Sequence, residues 1–346
     1  MLEPEILQAI DSVQVDPEVA RKDNGNFLFL NLETLDVKFR IPPNDRKRVN
    51  REKLRRALLV GVKDHVHWSK NLIEIVLADD GECVTGIFKD GSSASGALLV
   101  GVDGSNSRTR KILRPDDYKN TQLPIRFVGS AIDMTPAQVQ PLRDLDPLLF
   151  QGCHPETGDY LWFSILEVPD VNGIQGTGNE QYRVQINVSW PVKGPEDEVK
   201  PSDAERLAEM NRRAANWAPI LKAAVNTIPD GEPVQEITLA DWPCHDWDNQ
   251  EGRLTLIGDA AHAMTMYRGE GANHGILDAY HLVGALEAVS SGRMSRKAAL
   301  DDFEDEMRKR TSVAVLLSRQ ACLDAHDWRS LNADSAILKR RAIAGK

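Results

Sequence analysis

The chain has 346 residues, enough for two modest domains, and its 41% hydrophobic and 27% charged content is typical of a globular protein. The net charge of −10 argues against a nucleic-acid groove, which needs concentrated positive charge. No apolar run approaches transmembrane length, and the first residues lack the basic flank of a signal peptide. The four cysteines form no CxxC pair. We therefore expect a cytoplasmic protein with reduced thiols and no metal site.

The first predicted elements are a helix over residues 4–13 and two strands within residues 26–39, with a turn near Glu33. The next helix follows Asn50, a good N-cap residue, and its leucines form one apolar face. Arg51 lies in the first turn, where a cation is unfavourable unless it serves another group. The alternative is a solvated basic face, since residues 46–56 are rich in charge.

Residues 65–103 read as a β-meander. Short β-rich runs cover residues 66–68, 72–77, 83–88 and 97–102, and two Asp-Gly turns separate them. Asp103-Gly104 follows the last run, and an Asp-Gly pair taken alone is most often a turn.

The composition shifts between residues 115 and 241, where alternating runs replace the α/β pattern. The predicted strands cover residues 125–132, 148–150, 160–168 and 182–190, and the predicted helices cover residues 202–214 and 218–227. Aromatic residues in such strands usually belong to the core, and this applies to Phe150, Trp162 and Phe163. No carboxylate or histidine of this region stands out as a catalytic base.

The strongest signal is a strand over residues 254–257 followed by Gly258-Asp259, a loop with Gly269 and Gly271, and a helix from about Asn273. Asp259 falls at the carboxyl end of the strand, where it can accept hydrogen bonds from sugar-alcohol hydroxyls. The glycines allow close approach of a flat ring, and the N–H groups of Gly271, Ala272 and Asn273 would meet negative charge. An ordinary strand-loop-helix unit is the alternative. Further helices are predicted over residues 282–289, 296–310 and 313–325.

Residues 258–279, GDAAHAMTMYRGEGANHGILDA, resemble the second flavin-contacting motif of the FAD-dependent aromatic hydroxylases, the group A flavoprotein monooxygenases that include para-hydroxybenzoate and salicylate hydroxylases. The matching residues are Gly258, Asp259, His262, Gly269, Gly271, Asn273, Asp278 and Ala279. The family's proline in the turn is absent, and residues 264–266 occupy that region. Asp103, Gly104, Ser107 and Arg110 resemble the family's DG motif. Arg51, Leu54 and Leu58 match its R-x-x-L-x-x-x-L segment.

The resemblance implies a mixed α/β fold. It places a Rossmann-like FAD-binding domain in residues 1–114 and 244–346, with a helical C-terminus. An antiparallel-sheet substrate domain is inserted at residues 115–243. In the family this sheet forms one wall of the substrate pocket, so the resemblance implies that Phe150, Trp162 and Phe163 line that wall, with the core as the alternative. It also implies an enzyme, a monomer or homodimer, that takes FAD, NADPH or NADH, and oxygen. A C4a-hydroperoxyflavin would hydroxylate an aromatic or polyketide-like small molecule. The implied flavin contacts are Arg51, Asp103, Gly258, Asp259, Gly269, Gly271, Ala272 and Asn273.

The family's GxGxxG is not found in this sequence. The nearest string, over residues 173–178, lies mid-chain and reads as a loop. Compared with the family, the first βαβ unit, which would bind the FAD pyrophosphate, is therefore expected to be missing, either because the gene model starts late or because the protein lost the unit. The 346-residue chain is expected to bind FAD poorly, and the alternative function is a flavin-poor, non-catalytic member of the family.

Overall fold

The computed structural model describes residues 4–22, 27–41, 47–79 and 81–339. The chain divides into two compact units. The sheet unit comprises Met1–Val66, Pro124–Thr238 and Leu323–Lys346, and the motif unit comprises His67–Leu123 and Leu239–Cys322. None of the helices within these described stretches is long and apolar enough to cross a membrane.

The elements confirm the mixed α/β class. The strands are β1 Phe27–Asn31, β2 Val37–Ile41, β3 Leu72–Leu77, β4 Val84–Phe88, β5 Ser93–Gly96, β6 Leu99–Gly101, β7 Thr121–Gln122, β8 Ile125–Met134, β9 Leu149–Cys153, β10 Tyr160–Glu167, β11 Tyr182–Pro191, β12 Gln235–Glu236, β13 Ala240–Asp241 and β14 Leu254–Leu256. The helices are α1 Pro4–Ser12, α2 Pro17–Lys22, α3 Arg51–Leu58, α4 Arg108–Leu113, α5 Pro136–Arg143, α6 Asp203–Arg213, α7 Pro219–Asn226, α8 Asp259–His262, α9 Gly271–Ser290 and α10 Arg296–Asp324.

The sheet unit is built on a seven-stranded sheet of order β12-β8-β11-β10-β9-β1-β2. The predicted N-terminal hairpin is present, and the Asn31 side chain fixes its turn by accepting the Glu33 N–H at 2.8 Å. β1 also pairs in parallel with β9, with Leu28 opposite Phe150. Residues 1–66 therefore belong with the large sheet, whereas the sequence division grouped them with the flavin-binding part. The pairing of β1 with β9 joins segments far apart in sequence, so the local pattern of apolar residues does not predict it.

The two faces of this sheet differ in character. Phe150 and Phe163 are register partners whose rings stack at 5.1 Å, and both are buried in the core against the helices α5, α6 and α7. The expectation that these two residues line a pocket gives way to the core alternative. Successive residues of a strand point to opposite faces, so Trp162 lies on the other face and is only partly buried.

The predicted N-cap of α3 is confirmed, because the Asn50 side chain accepts the Lys53 N–H at 3.0 Å. Arg51 is the first helical residue, and it is exposed. Since Arg51 belongs to the sheet unit, its contact with a flavin stays a prediction.

In the motif unit, β3, β4 and β5 form an antiparallel sheet, whereas β6 pairs in parallel with β14. The expected meander was therefore wrong at both ends. Residues 66–68 are not a strand, and the run at residues 97–102 leaves the meander. Its third strand, Ser93–Gly96, consists of exposed small residues, which carry no apolar signal.

The helix α10 was expected as two helices but runs unbroken through Thr311 and Ser312. Both hydroxyls are satisfied there, because Thr311 donates to the Met307 carbonyl at 2.7 Å and Ser312 to the Cys244 carbonyl at 2.8 Å. The helix α9 begins at Gly271, two residues earlier than the pattern indicated.

Candidate functional site

The candidate site is centred on the loop that leaves β14, in the motif unit. Gly258 has φ +60° and ψ −146°, a backbone conformation that is essentially restricted to glycine. This conformation turns the chain from the buried strand into the short helix α8, whose first residue is Asp259. The first turns of α9 pack against this loop, because a Cβ on Gly275 would lie 3.6 Å from the Gly258 Cα.

Asp278 anchors this loop from beneath. Its Oδ2 accepts the Gly258 N–H at 2.9 Å and lies 2.6 Å from His262 Nε2, and its Oδ1 accepts from Arg310 at 2.7 Å. Burial favours the neutral carboxyl, but the hydrogen bonds from His262, Arg310 and Gly258 outweigh it and lower the pKa of Asp278. A buried carboxylate therefore fixes both the loop and α9.

Arg310 extends the anchor to a second histidine. Its Nη1 lies 2.9 Å from His274 Nδ1, and Glu306 holds the same guanidinium at 2.8 Å. Burial, followed by the positive charge of Arg310, lowers the pKa of His274, which favours the neutral ring that can accept from Arg310. Sequence reasoning missed Arg310, because its i,i+4 spacing from Glu306 is that of an ordinary surface ion pair.

The turn that lacks the family's proline is held by other contacts. Thr265 and Ser318 exchange hydrogen bonds, each hydroxyl donating to the other's carbonyl, at 2.9 and 2.6 Å. Arg268 and Glu270 form a buried ion pair at 2.8 Å immediately before α9. Gly269 adopts a left-handed conformation, with φ +64°, between this pair and the helix.

Asp259 presents a carboxylate beside the start of α9. The residue is exposed, and no side chain or N–H group in the described part of the chain hydrogen-bonds its carboxylate. A Cβ on Gly271 would lie 3.8 Å from its Oδ1, so the carboxylate reaches the helix N-terminus. No described side chain caps α9, whose first N–H groups belong to Gly271, Ala272 and Asn273. The loop thus combines a free acceptor with uncapped donors.

The carboxylate of Asp103 lies at the N-terminal end of α4. Its carboxylate accepts from the Ser107 hydroxyl, from the Arg108 N–H at 2.8 Å and from the Thr109 N–H at 3.0 Å. Partial burial opposes ionisation, but these hydrogen bonds lower the pKa of Asp103 below its ordinary value. The carboxylate therefore fixes the first turn of α4, and a direct flavin contact stays a prediction.

Arg110 joins the two acidic motifs. This buried guanidinium donates to the carbonyls of Asp259 and Ala260, at 3.3 and 3.2 Å, and to the Tyr118 carbonyl at 2.9 Å. Burial lowers the pKa of Arg110, while the charges of both Asp103 and Asp259 oppose that shift. The two motifs, 156 residues apart in sequence, therefore meet around one cation.

Comparison with known proteins agrees with this geometry. A family model described as the FAD binding domain matches residues 66–318. The FAD-dependent monooxygenase dbaB of Emericella nidulans is 44% identical over 280 residues, which cover 80% of this chain and 70% of that protein. The chain belongs to the FAD-dependent monooxygenase family. The FAD-dependent monooxygenase phnB of Penicillium herquei is 29% identical over 344 residues, covering 98% of this monooxygenase and 81% of that protein.

The fold of the monooxygenase also matches solved structures. The 2,6-dihydroxypyridine-3-hydroxylase of Arthrobacter nicotinovorans superposes with a TM-score of 0.72 at 16% identity, covering 99% of this chain and 88% of that chain. At this identity the likeness concerns the fold alone.

The residues of the site suit FAD. A flavin nucleotide carries sugar-alcohol hydroxyls, which need acceptors, and a ring that becomes anionic on reduction, which needs donors. The free carboxylate of Asp259 supplies the acceptor, and the uncapped N–H groups of Gly271 to Asn273 supply donors at the positive end of a 20-residue helix. Gly258 has open space beside it, because no atom of the described residues lies within 4 Å of the position that a Cβ would take. A flat ring can therefore approach the backbone there.

Proposed function

We propose that this monooxygenase takes electrons from NADPH or NADH and inserts one oxygen atom of O₂ into an aromatic or polyketide-like small molecule. The observation that carries the proposal is the free Asp259 carboxylate beside the uncapped start of α9, in a chain of the FAD-dependent monooxygenase family. Bound FAD would supply the electron transfer and the oxygen activation.

In this proposal the chain positions the cofactor and stabilises charge on it. Asp259 would accept hydrogen bonds from the ribityl hydroxyls. The N–H groups of Gly271, Ala272 and Asn273 would stabilise negative charge on the flavin pyrimidine, helped by the helix dipole. Arg51 would balance the phosphate charge. Asp278 and Arg110 would not contact the cofactor themselves. They hydrogen-bond to the backbone of the loop that carries these groups and so hold it in place.

The first experiment is an FAD titration of wild type and Asp259→Ala. Loss of the acceptor leaves ribityl hydroxyls unpaired, so we expect FAD to bind roughly 5- to 150-fold more weakly, equivalent to about 1–3 kcal/mol. Glu287→Ala is the matched control, since it removes an exposed acid near the far end of α9. Equal FAD affinity of the two variants would contradict the role of Asp259.

The second experiment measures NADPH and NADH oxidation and oxygen uptake by the FAD-loaded protein with a panel of phenols. Substrate-dependent oxygen uptake with a hydroxylated product is the expected result. A wild-type protein that does not retain FAD would instead favour the flavin-poor, non-catalytic alternative.

A further inference from the structure

The large sheet carries buried polar atoms on the face opposite α5, α6 and α7. Gln151, Trp162 and Asn187 form one cross-strand row on β9, β10 and β11, and Ser164 lies two residues further along β10. Gln151 Nε2, Ser164 Oγ and Asn187 Oδ1 are all buried, and they lack a hydrogen-bond partner among the described residues. Buried polar groups in folded proteins are normally paired, so three such atoms on one face need an explanation.

The orientation of Gln151 is set by a neighbour. The Tyr160 hydroxyl donates to Gln151 Oε1 at 2.6 Å, so the Gln151 amide nitrogen remains as an unpaired donor. Two strands away, Asn187 lies over Gly129, where a Cβ would come within 1.8 Å of Asn187 Oδ1. A glycine at position 129 is therefore required for the Asn187 amide to take this position, which holds an acceptor on the same face.

The opposite face of the same sheet shows the contrast. There the buried Ser130 donates its hydroxyl to the Pro233 carbonyl at 2.9 Å, as expected for a structural serine. Ser164 is as deeply buried, yet its hydroxyl has no partner in the described chain. An unpaired buried polar group destabilises the folded chain, and a ligand that pairs with it removes that cost on binding.

We propose that Gln151, Ser164 and Asn187 form the hydrogen-bonding wall of the substrate site and select a neutral aromatic molecule that carries both an acceptor and a donor, such as a hydroxyaryl ketone. Gln151 donates to the ketone oxygen, and Asn187 accepts the phenol O–H. The two residues stand two strands apart, roughly 10 Å, with Trp162 between them in register. This spacing suits groups at opposite ends of one ring. The inference rests on the proposed monooxygenase function and names its substrate class.

The test is calorimetric titration of the full chain with 4-hydroxyacetophenone, in parallel with 4-methoxyacetophenone, which lacks the donor, and 4-ethylphenol, which lacks the ketone. The variants are Asn187→Leu and Ser164→Ala, with Ser130→Ala as the control from the other face. Wild type should bind the hydroxyketone more tightly than either analogue. Asn187→Leu should weaken binding of the hydroxyketone roughly 3- to 10-fold and leave binding of the methoxy analogue unchanged.

Thermal unfolding supplies a second readout that separates recognition from a structural role. Removing an unpaired buried polar group is neutral or stabilising, so Asn187→Leu and Ser164→Ala should keep or raise Tm, whereas Ser130→Ala should lower it. The inference is overturned if wild type does not bind the hydroxyketone, if Asn187→Leu binds it as wild type does, or if Ser164→Ala lowers Tm as much as Ser130→Ala. FAD-dependent oxygen uptake with other phenols, together with any of these results, would leave the proposed function standing.

Discussion

Arg110 offers the sharpest test of how the site is held together. Arg110→Met keeps most of the side-chain volume but removes the hydrogen bonds to the carbonyls of Tyr118, Asp259 and Ala260, and to Asn120 Oδ1. A fifth acceptor, the Ser105 carbonyl, keeps its bond from Asn120 Nδ2 at 3.0 Å. These four hydrogen bonds, one buried and three partly buried, predict a loss of about 4 kcal/mol at about 1 kcal/mol each. That is a large part of a typical folding stability of about 5–15 kcal/mol.

Urea unfolding followed by Trp fluorescence measures this loss, since Trp242 lies against the Arg110 guanidinium at 4.7 Å. Arg108→Met is the matched control on the same helix, because Arg108 is exposed and its side chain makes one hydrogen bond, to the Leu72 carbonyl at 3.1 Å. We expect the control to lose less than about 1 kcal/mol. If Arg110→Met falls within about 1 kcal/mol of the control, Arg110 does not clamp the two motifs, and the reasoning is refuted.

Three further predictions concern the same unit. Asp103→Ala removes the acceptor that fixes the start of α4 and should cost about 1–2 kcal/mol in urea unfolding, whereas Asp103→Asn should recover part of that loss. Gly258→Ala forces a side chain into a left-handed backbone and should cost about 1–3 kcal/mol with weaker FAD binding; an unchanged Tm would count against this strain. Burial raises the pKa of Glu304, which accepts from Trp247 and Asn249, to about 7. The pKa of Glu304 in the folded chain exceeds the ordinary 4.5, so the unfolded chain loses this proton first as the pH rises. The free energy of unfolding is therefore highest below pH 4.5 and falls by roughly 3 kcal/mol as the pH rises to 7. Unfolding titrations of wild type should show this fall, and those of Glu304→Gln should not.

The sequence by itself determined the local elements and the family. Asn50 in the sequence was enough to predict the start of α3, because an N-cap depends only on N–H groups a few residues away. The string from Gly258 to Ala279 identified the family, and its glycines and strand-end carboxylate predicted the loop between β14 and α9. The alternation of the runs in residues 125–190 predicted the sheet strands within a few residues of their observed bounds.

The tertiary structure alone decided which distant residues meet. The parallel pairing of β1 with β9, and of β6 with β14, joins segments far apart in sequence, and neither strand of a pair carries a mark of its partner. The roles of Arg110 and Arg310 depend on carbonyls and carboxylates brought beside them by packing. The face to which each aromatic points followed from strand register, which moved Phe150 and Phe163 into the core and left Gln151 and Asn187 on the other face. The side chains of a strand alternate with a period of two residues, so a register error of one position exchanges the two faces of the sheet.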